Sequence, residues 1–108
     1  MDPSSQLTPV QNVQVLKAGF ANKRGQFVKS WKRRYFVLRE SRLEYLDDQG
    51  GVLKGVMNLP GASVLTVPFS VFGKDHVLRV FTEDRTLFLE FANEEEVTSW
   101  LAVFSSVL

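Results

Sequence analysis

Between residues 15 and 91 this chain is cut into seven short runs rich in β-branched and aromatic side chains, each ended by a turn signal. The runs fall at 15–23, 32–40, 42–47, 55–59, 63–67, 77–82 and 86–91. The breaks are Arg24-Gly25-Gln26, Glu40-Ser41, residues 47–51, Pro60-Gly61, residues 68–75 and Glu83-Asp84-Arg85. Runs of this length and composition read as strands. Their links are too short for the crossover helices that parallel strands need. The fold class is therefore mainly β, a seven-stranded antiparallel sandwich or barrel.

The pattern changes after the last run. Asn93 is a good helix N-cap, and Glu94, Glu95 and Glu96 fill a first turn where the helix dipole favours anions. Val97, Trp100, Leu101, Phe104 and Val107 then recur at helical spacing. This spacing predicts one C-terminal amphipathic helix that covers an open end of the barrel with a face carrying Trp100. Residues 1–12 are polar, hold two prolines and show no periodicity, so they read as a flexible lead-in to a domain over 13–108.

At 108 residues there is room for one core of ordinary size. No apolar run approaches the roughly 20 residues that span a bilayer, and residues 1–6 lack the charged start and apolar stretch of a secretory signal. With no cysteine and a single histidine, His76, the chain offers neither a disulfide nor a zinc cluster, and it calls for no cofactor. It also lacks a nucleophile elbow, a phosphate loop and a paired-histidine motif, which argues against an enzyme. The net charge of +1 hides an asymmetry. Residues 1–54 carry ten basic and five acidic side chains, residues 55–108 three and seven, and residues 17–34 hold seven bases and no acid. Such a domain is a dipole whose basic end suits an anionic partner.

Alternation along the second run aims that charge. Lys32, Arg34, Phe36 and Leu38 share one face. If Phe36 and Leu38 are core, Lys32 and Arg34 continue the inward face towards a barrel mouth. Inward charges need counter-charges, and no acid lies nearby in the chain. A bound anion would supply the partner.

Seven short strands followed by a helix bearing Trp100 resemble the pleckstrin homology (PH) domain, over roughly residues 15–107. Lys17-Ala18-Gly19-Phe20 looks like that family's opening strand, and Trp100 falls where the family carries its hallmark tryptophan. A narrower resemblance concerns PH domains that bind 3-phosphorylated phosphoinositides. Their first hairpin carries a lysine, any residue and a small residue. After a spacer come a basic residue, any residue, an arginine, any residue and two hydrophobics. Lys23, Arg24 and Gly25, then six residues, then Lys32, Arg33, Arg34, Tyr35, Phe36 and Val37 fill that pattern. Tyr45 and Lys54 match further headgroup contacts of the family. The resemblance implies a headgroup site of Lys23, Arg24, Gly25, Lys32, Arg34, Tyr45 and Lys54. It implies a module that binds PI(3,4,5)P3 or PI(3,4)P2, or soluble inositol phosphates, and that brings its host from the cytoplasm to an anionic membrane surface such as the plasma membrane. No extra hairpin separates strands six and seven, as it does in some trisphosphate-selective relatives, so the lipid preference stays open.

The chemistry suits these residues. Arg34 offers a planar fork for phosphate, and Lys23 and Lys32 add point charges from facing strands. Gly25 would let backbone N–H groups turn towards phosphate. Charge-assisted bonds contribute about 1.5–3 kcal/mol each, so three or four reach the roughly 8 kcal/mol of a micromolar complex. At the loop tip Phe27 and Val28, with Lys29, either fold back on the barrel or form a wedge that contacts the membrane. Trp31 either faces the membrane or packs over the hairpin. Arg39 and Arg42 can pair with Glu40 or Glu44, and Lys74 and His76 read as solvated surface. The rival function is an adaptor that binds a protein partner and only unspecifically binds anionic lipid. The compact basic patch argues against nucleic acid.

Overall fold

In a computed structural model, residues 14–108 are described, and the expected lead-in over 1–12 lies outside them. Seven strands form one antiparallel sheet: β1 (Lys17–Gly25), β2 (Lys32–Leu38), β3 (Arg42–Leu46), β4 (Leu53–Asn58), β5 (Ser63–Val67), β6 (Val77–Phe81) and β7 (Thr86–Glu90). A helical turn, α1 (Phe69–Phe72), links β5 to β6, and α2 (Glu94–Val107) ends the chain. The strand order is β4-β3-β2-β1-β7-β6-β5.

The long first strand joins the two halves of the sheet. Lys17 to Lys23 pair with β2, and Asn22 to Gly25 pair with β7. The sheet bends there, because Phe36, Leu43, Tyr45 and Met57 from one half share a single core with Leu78, Val80, Leu87 and Leu89 from the other. This pairing also carries β1 through Arg24 and Gly25, where the local turn signal places a break. A second hydrogen-bonded neighbour, distant in sequence, outweighs the turn preference. Most other strand ends fall within two residues of the expected runs, and two differences have a clear cause. β4 starts at Leu53 rather than at residue 55, because a register shift opposite Tyr45 and Leu46 lets pairing resume earlier. The break over 68–75 contains α1, stopped by Gly73 in the left-handed region (φ 70°), whose N–H donates to the Phe69 carbonyl.

One end of the barrel is closed as the helical spacing predicts. The Asn93 side chain accepts from the Glu96 N–H at 2.9 Å. Val97, Trp100 and Phe104 are buried, and the indole of Trp100 stacks on Phe91 at 5.5 Å between ring centroids. Gly19 of β1 lies beneath that ring. Elsewhere Arg39 and Arg42 both pair with Glu44. Burial of that carboxylate works against ionisation, but hydrogen bonds from Arg42 and Arg39 hold its pKa below the ordinary carboxylate value.

Candidate functional site

The end opposite α2 is left open, and strand alternation brings cations to it. Lys23 lies directly across from Lys32, and Arg34 across from Ala21. Phe36 and Leu38, further along the same face of β2, are fully buried. The inward face therefore changes from apolar to cationic over one strand. Arg85 joins the group from the other half of the sheet. It lies on the same face as Leu87 and Leu89, and Leu89 sits across from Lys23.

Tyr45 forms the floor. It is buried on β3, with Lys23 Nζ 5.0 Å from its ring centroid. Arg85 donates to the Tyr45 hydroxyl at 2.6 Å and to the Val56 carbonyl at 2.7 Å, which ties the β6–β7 turn to β3 and β4. The hydroxyl accepts from Arg85, so its own proton is free to donate. Gly55, opposite Tyr45, makes room for the ring, because a Cβ there would run into it. A Gly55→Ala substitution should push the ring into the mouth. The expected result is a loss of about 1–3 kcal/mol of stability, as for other overpacked sites, together with weaker anion binding. Chemical denaturation and a polyphosphate titration would check both.

These cations are not neutralised by carboxylates. Among the described residues no ion pair includes Lys23, Lys32, Arg34 or Arg85. Arg34 donates from Nη1 to the Arg33 carbonyl at 2.9 Å, but its Nε is shut off from solvent without a hydrogen-bond partner. Acids do stand at the rim. Asp47 and Asp48 spend carboxylate oxygens on the N–H groups of Val52 and Gln49, and Asp84 lines a cleft of about 250 Å³ beside Lys23 and Arg85 without pairing with either.

Lys23 registers the crowding. Burial first, then the charges of Arg34, Arg85 and Lys32, push its pKa below the ordinary lysine value. With a folded pKa below the unfolded one, the unfolded chain binds more protons between the two values. Stability therefore rises with pH across that alkaline window, and at neutral pH the full cost of the cation is present. Lys23→Met should raise the thermal midpoint at neutral pH and flatten the rise on the alkaline side. Melting curves at pH 7 and 10 would show this, and a lower midpoint at pH 7 would contradict it.

Of the residues singled out in the sequence, Lys23, Lys32, Arg34 and Tyr45 come together. Three others do not join them. Arg24 follows Lys23 in the strand and so points to the opposite face, where its guanidinium lies 4.6 Å from the Phe72 ring centroid and 5.8 Å from that of Phe88. The Gly25 N–H donates to the Val28 carbonyl, so it is not turned out for an anion, and a Cβ at Gly25 would meet only ordinary contacts. Lys54 is exposed at the β4 register shift, and among the described residues no ion pair includes it. At the loop tip Phe27 is 86 % and Val28 69 % exposed, so neither folds back on the barrel. Lys29 is exposed beside them. Trp31 packs against Phe72 at 5.3 Å, and Lys74 pairs with Glu90 instead of being solvated. A groove of about 690 Å³ along β1 and the start of α2 mixes Lys17 and Arg33 with Glu90 and Glu96 and lacks such a cluster.

Comparison with known proteins agrees with this architecture. Residues 15–108 match the family model of the PH domain. Human pleckstrin-2 is 34% identical over 91 residues, which are 80% of this chain and 26% of that protein. The chain thus spans about a quarter of the length of that relative. A PH domain-containing protein of Arabidopsis thaliana is 26% identical over 91 residues, 79% of this chain and 63% of its own length. The C-terminal PH domain of pleckstrin, crystallised with D-myo-Ins(1,2,3,5,6)P5, superposes with a TM-score of 0.76 at 30% identity, covering 87% of this chain and 95% of that one.

Proposed function

This chain belongs to the PH domain family, and from that premise we propose that it is a phosphoinositide-binding module that brings its host protein to a membrane. The observation that carries the reading is the convergence of Lys23, Lys32, Arg34 and Arg85 on the Tyr45 floor with no carboxylate partner among the described residues. A compact, highly charged anion would supply the counter-charge that this cluster lacks. Inositol polyphosphates fit that description, and the pleckstrin domain crystallised with one supports the choice.

The lipids proposed are PI(3,4,5)P3 and PI(3,4)P2. Arg34 grips one ring phosphate, Lys23 and Lys32 flank a second, and the Tyr45 hydroxyl donates to the same group. Arg85 braces the ring and adds field. Phe27, Val28 and Lys29 enter the interfacial layer above the headgroup, where an apolar side chain contributes roughly 1.5–3 kcal/mol on burial and a cation about 1 kcal/mol. Headgroup, wedge and field act together, and none of them alone anchors the domain, which suits reversible recruitment from the cytoplasm to the plasma membrane. Among the described residues no helix is long and apolar enough to cross a membrane.

Liposome co-sedimentation at physiological salt, across a phosphoinositide panel with phosphatidylserine as charge control, tests the reading. Selective binding to a 3-phosphorylated lipid is the expected result. Equal binding to every anionic liposome, lost at higher salt, would reduce the site to a basic face.

A further inference from the structure

Outside the cationic mouth, on the opposite face of the sheet, lies an apolar surface that the headgroup reading does not use. The short helix α1 is pinned by Phe72, which meets Trp31 at 5.3 Å and Phe88 at 4.8 Å. Its other apolar side chains point away: Phe69 is 59 % and Val71 55 % exposed, and Leu65 of β5 is 53 % exposed. Val71 and Leu65 border a cleft of about 400 Å³ whose wall also includes Gln26, the residue beside the exposed Phe27. Gln26 thus brings the β1–β2 loop to the edge of the cleft that α1 borders. Arg24 lies among the rings of Phe72 and Phe88 and, within the described residues, has no carboxylate partner. Trp31 flanks Phe72.

Exposed apolar area of this kind marks a docking site. A cation set among aromatic and aliphatic side chains, with a half-buried tryptophan at the edge, fits the boundary between lipid headgroups and acyl chains. We infer that α1, through Phe69 and Val71, is a second membrane-inserting element that seats beside Phe27 and Val28, with Arg24 facing the lipid phosphates. Two insertion points fix the tilt of the domain, where one loop would leave it free to swivel. The inference rests on the reading of the domain as a membrane module, but it uses none of the headgroup residues.

The test compares the wild-type chain with a Phe69→Ser, Val71→Ser double variant on phosphatidylcholine–phosphatidylserine vesicles, with and without PI(3,4,5)P3. Brominated acyl chains would report insertion by quenching tryptophan. Trp100 is buried at the far end, so the quenched emission comes from Trp31, with Trp31→Phe as the control. The double variant should bind PI(3,4,5)P3 vesicles at least tenfold more weakly and lose most of the quenching. Its calorimetric affinity for soluble inositol 1,3,4,5-tetrakisphosphate should be unchanged. Vesicle affinity and quenching equal to wild type, as a protein-docking surface would give, overturns the inference. So does an unquenched Trp31 in the wild-type chain. Failure of the soluble headgroup to bind the wild type would instead remove the pocket reading, while quenching on phosphatidylserine vesicles would still uphold α1 as a lipid contact.

Discussion

Replacing Arg34 by alanine is expected to weaken binding to PI(3,4,5)P3 vesicles by about 10- to 150-fold while leaving the fold intact. The size follows from one charge-assisted contact of about 1.5–3 kcal/mol. The selectivity follows from where the side chain sits. Among the described residues its Nε has no hydrogen-bond partner, and its Nη1 donates to the neighbouring Arg33 carbonyl. Little folding energy is therefore lost with it, and the repulsion it exerts on Lys23 disappears. The thermal midpoint should move by only a few degrees, since about 1 kcal/mol corresponds to roughly 4–8 °C in a domain of this size. An Arg34→Ala chain that fails to fold would make Arg34 a structural residue. One that folds and still binds selectively would take it out of the site.

Trp100→Ala should do the reverse. The indole is 2 % exposed, stacks on Phe91 and meets Phe104 at 6.0 Å. Truncating a buried tryptophan costs about 3–5 kcal/mol through lost transfer energy and the cavity left behind. The midpoint should fall by about 15 °C or more. Because Trp100 closes the end of the barrel opposite the mouth, the fraction still folded at low temperature should bind soluble inositol phosphate with near wild-type affinity. A melting curve identical to wild type would contradict the core role. Folded protein with no headgroup affinity would mean that the two ends are coupled.

These two variants separate what is local in the chain from what is not. The helix was legible because Asn93, the three glutamates and the apolar spacing around Trp100 all lie within one short segment. The inward cations of β2 were legible for the same reason, since Phe36 and Leu38 fix the parity of Lys32 and Arg34. The same parity sets Arg24 on the face opposite Lys23. The motif fixes Lys23 and leaves the next position free, and adding Arg24 to the site overlooked that a strand can bring only one of the two to the mouth. Arg85 was hidden because it reaches the mouth only through the pairing of β7 with the end of β1, which no local pattern announces. Extending the Leu87 and Leu89 face back past the strand start would have found it. Gly55 carries no chemistry of its own, and its role exists only once Tyr45 lies across it.

The central claim is that an inositol polyphosphate binds at the mouth formed by β1, β2 and the β6–β7 turn. An NMR titration of the isotopically labelled chain with soluble inositol 1,3,4,5-tetrakisphosphate tests it most directly. The account predicts that the largest amide shifts fall on Lys23, Lys32, Arg34, Tyr45 and Arg85 and fade towards α2. Shifts centred on the groove between β1 and α2, or no shifts at all, would contradict it.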